Sequence, residues 1–348
     1  MSVTVLRRRR FAATGLALAA SVAVPALRAL PQPEKSRVTL AVGGKATLYY
    51  LPLTIAEQLG YFAAEGLDVE IRDFIGGQRA LQGVLAGEAD VCSGAFEHTI
   101  KLQLSNKFFQ AFVLQGRAPQ IAVGVSTRTM GGYTGVASLR GRKIGVSAPE
   151  SSTNMVASLL LARAGVRHGE AEFVGVGTGV PALEALRAGQ LDAMSNTEPV
   201  MTMLEQQGDV RIIADTRTLR GTQELFGGTM PAACLYAPEA FVQRNPRTCQ
   251  ALANAIVHAL KWLQTAVAAD LVKTVPENNL LGDRALYLAS FHKTREAISL
   301  DGLIPDDGAA NAIKALASFN PLVNFDRIDA PRLYTNMFAR KSKDKFKA

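Results

Sequence analysis

An alternation of short β-rich runs, glycine-containing turns and helically spaced runs occurs twice along this chain, and it admits few folds. In the first stretch, residues 38–42 form a β-rich run broken by Gly43-Gly44, and 52–59 show helical spacing that stops at Gly60. Residues 67–71 then alternate apolar and polar at period two, Gly76-Gly77 closes that run, 78–86 are helical, and 89–93 form the next strand. The second stretch repeats the order: a strand at 143–146, a helix at 152–164, a strand at 172–176, a helix at 181–188 and a strand at 191–194. Strand, turn, helix, strand is the grammar of parallel βαβ units. Two such sets in tandem predict two α/β lobes. The apolar runs 120–125 and 230–236 are extended enough to cross between them, and helical spacing dominates the last third, at 246–267, 284–298 and 306–318.

The ends of the chain distort its averages. Arg7 to Arg10 form a basic block, an apolar stretch covers 11–26, and small residues reach Ala29 ahead of Pro31 and Pro33. This is the pattern of an export signal, too short and Ala-rich for a membrane span. Arg8-Arg9-Arg10-Phe11 also fits a twin-arginine signal, so both the general and the twin-arginine routes stay open. Cleavage near residue 29 to give a periplasmic product is expected, and no cysteine lies there to carry a lipid. The net charge of +8 suggests a nucleic-acid partner until its position is traced. Taking the leader's +5 and the +4 of residues 340–348 from +8 leaves −1 for residues 30–339. The folded body is therefore near neutral, with no basic stripe for nucleic acid. The basic end, 340–348, reads as a flexible tail. Cys92, Cys234 and Cys249 are too few and too scattered for a disulfide scaffold or a zinc site, and buried free thiols are expected.

Several blocks, in order, carry a resemblance. They are Tyr49-Tyr50-Leu51-Pro52-Leu53, Gly60-Tyr61-Phe62, Glu65-Gly66-Leu67-Asp68-Val69, Gly76-Gly77 and Leu85-Ala86-Gly87-Glu88-Ala89-Asp90. Leu139-Arg140-Gly141-Arg142-Lys143-Ile144-Gly145-Val146, Gly175-Val176-Gly177, Ala188-Gly189-Gln190-Leu191-Asp192-Ala193 and Glu198-Pro199 follow. Together they resemble the substrate-binding proteins of nitrate/sulfonate/taurine-type ABC importers, a group that includes binders and makers of thiamine pyrimidine precursors. The likeness covers residues 38–240. It implies an α/β, two-lobed periplasmic binding protein fold with two interlobe crossovers, of type II. The first lobe would hold 38–122 plus 230–339 and the second 127–226. It further implies a small ligand in the cleft, an ABC permease and ATPase as partners, and a monomer with no cofactor or metal. A sensor role on the same fold stays open.

Ligands of open parallel sheets bind beyond the carboxyl ends of the strands. Gly76, Gly77 and Gln78 lead into a helix, where free amides favour an anionic group, or else form a plain tight turn. Ser151, Ser152 and Thr153 stand at the next such place, where a serine can also cap the helix, and Thr178 lies in a third loop. Tyr49 and Tyr50 can wall the cleft or pack the lobe interior. Lys45 could neutralise an anion. Phe96, Glu97, Asn196 and Glu198 fall just past strands; the two acids suit a ligand with an amine, or they pair with Arg117 or Lys45. None of the four histidines has a spaced metal partner, and no Gly-x-Ser-x-Gly elbow or Walker loop is present, so no enzyme activity is expected. His98, next to Glu97 at the expected cleft, is the histidine closest to a site.

Overall fold

The computed structural model describes residues 1–2, 32–280, 282–320 and 323–348. The expected export signal, apart from its first two residues, lies outside the described residues. Among the described residues from Gln32 on, ten strands form two five-stranded mixed sheets. The first contains β1 (Arg37–Gly43), β2 (Asp68–Phe74), β3 (Val91–Ala95), β4 (Phe109–Leu114) and β10 (Ala233–Pro238), in the order β2-β1-β3-β10-β4. The second contains β5 (Ile121–Ser126), β6 (Lys143–Val146), β7 (Glu172–Gly175), β8 (Ala193–Thr197) and β9 (Val210–Asp215), in the order β7-β6-β8-β5-β9.

β1 runs parallel to β2 and β3, and β6 parallel to β7 and β8. In each sheet the strand that arrives from the other lobe is the reversed one: β5 is antiparallel to β8 and β9, and β10 to β3 and β4. A chain that enters a lobe from the cleft starts its strand where the parallel strands end, so reversal follows from the crossing.

The two passages lie between Leu114 and Ile121 and between Asp215 and Ala233. This moves the expected lobe limits. Residues 121–122, assigned above to the first lobe, begin β5 of the second sheet, and 230–236 run largely into β10 rather than across the gap. A β-rich run reads the same whether it crosses between sheets or lies within one.

Residues 340–348 are not a flexible tail. The Met337–Phe346 helix places Phe338, Ser342 and Phe346 on one face at i, i+4 spacing, with Phe338 and Ser342 buried. The Phe338 ring sits edge-on to Phe112, 6.1 Å away, and the Ser342 hydroxyl donates to Asn254 Oδ1 at 2.7 Å. Lys343 and Lys345 reach Asp301 and Glu65 at 2.8 and 2.6 Å. The charges that suggested a tail are the outer face of a docked helix.

One face of the first sheet packs Leu40, Val42, Val91 and Leu235 against Leu252, Ile256 and Leu260 of the Pro246–Thr265 helix. Full burial of each such side chain contributes about 1.5–3 kcal/mol. On the other face, Phe96, Ile100 and Tyr236 share a cluster with Ile304 and Leu316, and with Met155, Val156 and Leu159 of the second lobe. The lobes therefore share a core on one side of the cleft. All three cysteines are free and buried.

Candidate functional site

The carboxyl ends of β1, β2 and β3 face those of β6, β7 and β8. Gly43 ends β1 so close to the next turn that a Cβ there would lie 2.2 Å from the Gly76 carbonyl carbon. Gly76 itself has φ +86°, and a Cβ on it would meet that of Ala148, in the opposite lobe, at 3.0 Å. Glycine at these two positions lets the backbone reach the cleft and the lobes close on it.

A cavity of about 30 Å³ lies between the lobes. From the first lobe Gly43, Thr47, Tyr49, Tyr50, Gly77, Ala95 and His98 line it. From the second come Ile121, Ser147, Ser151, Ser152, Thr153, Thr178 and Thr197. Nine of these side chains carry hydroxyls, and among the described residues no charged side chain lines the cavity. The tyrosine rings meet edge-on, centroids 4.8 Å apart. Ser147, Ser151 and Thr153 form a closed triangle of hydroxyl contacts at 2.8–3.0 Å. Ser151 holds the N-cap position of the Ser152–Arg163 helix, but its hydroxyl donates to the Ala148 carbonyl at 2.7 Å and caps no amide. The Gly77–Leu85 and Val180–Arg187 helices also begin at the cleft, on Gly76 and Gly179, without a side-chain cap. Three helix N-termini thus point positive ends at one small volume.

Four buried polar atoms of the lining have no partner: Thr47 Oγ1, Tyr49 OH, His98 Nε2 and Thr197 Oγ1. They come from both lobes. An unpaired buried polar group costs about 1–3 kcal/mol. Four around one cavity form a standing penalty that a hydrogen-bonding ligand removes. Burial, then the charge of Lys101, pushes the His98 imidazole down to about 3, so the ring is neutral at ordinary pH. Glu97 is fully enclosed beside Tyr49 and Ser152; burial pushes its carboxyl up, against the opposing pull of Lys101, and its Oε1 is unpartnered.

Of the expected residues, Tyr49, Tyr50, Gly77, Ser151, Ser152, Thr153 and Thr178 surround the cavity. Gly76 stands at its rim. The others lie elsewhere. Lys45 Nζ is bound to Glu57 at 2.6 Å. Gln78 spans the cleft to Glu150 Oε2 at 3.2 Å. Phe96 is core, edge-on to Tyr334. The Asn196 amide donates to the Gly177 carbonyl at 2.9 Å, and its carbonyl accepts from the Thr197 amide.

Glu198 pairs with neither Arg117 nor Lys45. Its carboxylate accepts from Arg217 at 2.7 Å and from the Thr202 amide at 2.9 Å. Arg117 instead donates to the Glu296 carbonyl. Around Arg217, burial works against the charge, and the Asp215 and Glu198 carboxylates outweigh it, holding the guanidinium charged. Thr47, Ser147 and Thr197 line the site without having been named for it, and His98, expected only close to the cleft, lines it too. Each lies within a few residues of a strand end that was read as a cleft loop.

Further contacts tie the lobes. The Leu48 amide donates to the Glu198 carbonyl at 3.2 Å, Lys101 Nζ to the Glu150 carbonyl at 2.8 Å, and Lys293 Nζ to Glu205 at 2.6 Å.

A model of the NMT1-like family matches residues 31–275. The chain belongs to the NMT1-like family. A solved protein of Bordetella bronchiseptica RB50 is 56% identical, with a TM-score of 0.90 over 91% of this chain and 100% of that one. The alkanesulfonate-binding protein SsuA from Xanthomonas axonopodis pv. citri, bound to MOPS, is 16% identical, with a TM-score of 0.65 over 88% of this chain and 100% of that one. At that identity the likeness is one of fold: the NMT1-like chain has the two-lobed α/β periplasmic binding protein fold. The desulfurization enzyme DSZB shares the architecture as well, at 15% identity and a TM-score of 0.58, covering 89% of this chain and 99% of that one. The fold hosts a binder and a catalyst, so the site has to separate them.

Proposed function

We propose that this protein is the periplasmic solute-binding component of an ABC importer, closing its two lobes on a small ligand with an oxyanion head. The observation that carries this is the set of unpartnered polar groups, on Thr47, Tyr49, His98 and Thr197, converging from both lobes on one cavity. Three uncapped helix N-termini add a positive field, and among the described residues no carboxylate lines the cavity to oppose an anion. Glu198, one of the two acids that spoke for an amine on the ligand, is occupied by Arg217, and Glu97 is driven toward its neutral form.

Binding without chemistry fits the same residues. Burial raises the Cys92 thiol to about 12 and Cys234 well above its usual value, so neither offers a thiolate nucleophile. The small cavity favours a compact head group, nitrate or the sulfonate of methanesulfonate or taurine, over a planar pyrimidine. A pyrimidine ring would hold the lobes further apart. The importer's permease and ATPase would read the closed form of a monomeric binder.

A thermal-shift screen of nitrate, methanesulfonate, taurine, short carboxylates and a pyrimidine on refolded protein tests this reading. A small oxyanion should raise the melting temperature, because a ligand bound only by the native state stabilises it. A response to the pyrimidine alone would overturn the ligand class.

A further inference from the structure

His98 is fully buried at the start of the Glu97–Leu104 helix, with its Nε2 unpartnered and lining the cavity. Its Nδ1 lies 3.0 Å from the Tyr236 hydroxyl. Tyr236, on β10, is itself fully buried, and its hydroxyl neighbours the thiol of Cys92 on β3. Three proton-bearing groups thus form a line from the sheet to the cavity.

We propose that Tyr236, backed by the Cys92 thiol, positions His98 as a neutral Nε2–H donor, so that the ligand must present an unprotonated acceptor oxygen to it. This rests on the ligand site proposed above and names the group that selects within it.

The line has two arrangements. In one, the thiol donates to the phenol oxygen, the phenol donates to Nδ1, and the ring proton sits on Nε2 facing the cavity. In the other, Nδ1–H donates to the phenol, the phenol donates to sulfur, and Nε2 shows a lone pair. Imidazole nitrogen is a far better acceptor than a thiol sulfur, which accepts only weakly. The first arrangement gives the phenol proton the stronger partner and leaves only the weak S–H donor on the poorer contact.

The titratable groups around the ring are Tyr236 and Cys92 from the sheet, Tyr50 from the loop after β1, and Glu97 and Lys101 from its own helix. Among the described residues, the second-lobe side chains that line the cavity with it are Ile121 and hydroxyl-bearing residues, none of them charged. Burial, Lys101 and the positive end of the helix all oppose a second ring proton. A neutral N–H donates to an oxyanion or a carbonyl oxygen. It rejects a ligand whose only group there is an ammonium or a hydroxyl committed as donor.

Long-range proton–nitrogen spectra of protein labelled with 15N-histidine test this without any ligand, with His98 assigned by loss of its signal in His98→Gln. The expected result is an Nε2–H tautomer that persists from pH 5 to 8, and that gives way to a tautomer mixture in Tyr236→Phe. Cys92→Ala, a smaller change, should leave the Nε2–H form in place while shifting its resonances. An Nδ1–H tautomer in the unmodified protein, or a ring that protonates near its ordinary value, overturns the proposal. Calorimetry with methanesulfonate then addresses the ligand: Tyr236→Phe should weaken binding about five- to tenfold. If methanesulfonate fails to bind the unmodified protein, the ligand class falls while the tautomer result still decides the role of His98.

Discussion

Side chain by side chain, the site separates groups spent on structure from groups held for a ligand. Asn196 and Glu198 are saturated by Gly177, Thr197, Thr202 and Arg217, whereas Thr47, Tyr49 and Thr197 keep free hydroxyl valences. Glu97 makes a pH prediction. Its buried carboxyl holds its proton more tightly in the folded chain than in the unfolded one, where the value is about 4.5. Its contribution to stability is therefore complete below about pH 4.5 and is lost as pH rises through the raised folded value. Glu97→Gln, which cannot ionise, should melt roughly 2–4 °C higher than the unmodified protein at pH 8, with the gap closing near pH 4. Melting curves across that range check it, and a constant gap at all pH values would mean that folding does not raise the Glu97 carboxyl. The sequence pointed to Glu97 and Glu198 alike, as acids just past strands. What it lacked was Arg217, nineteen residues on, which takes up Glu198 and leaves Glu97 alone.

At the scale of elements, the glycine turns control how near the lobes come. Gly76 has a backbone conformation that side chains rarely adopt, and it faces Ala148 across the cleft. Gly76→Ala should strain the turn and prop the lobes apart, weakening ligand binding about tenfold or more while the two sheets stay folded. Titration calorimetry beside far-UV circular dichroism checks this; unchanged affinity would show that the turn does not set closure. The Gly43-Gly44 and Gly76-Gly77 turns and the strands and helices they separate were legible, because glycine and hydrophobic period are local signals. The crossings were not, because Ile121-Ala122-Val123 reads as β whichever sheet it joins. The Met337–Phe346 helix was masked by its charged outer face, although Phe338, Ser342 and Phe346 keep a helical period beneath it.

For the whole molecule, two mirror-like sheets each take one reversed strand from the other, and that exchange makes a cleft with strand ends on both sides. The two-lobed plan followed from the doubled βαβ pattern, and the family from ordered motifs. The contents of the cavity did not follow, since which of two adjacent side chains faces inward depends on packing between distant segments such as Tyr49 and Ser152. The central claim is that one ligand is held by both lobes at once. Titration calorimetry with the best oxyanion from the screen, on Tyr49→Phe from one lobe and Thr197→Val from the other, tests it most directly. Each variant should lose about five- to tenfold in affinity with its fold intact. Full affinity in both variants, or loss in only one, would contradict a ligand bound between the lobes.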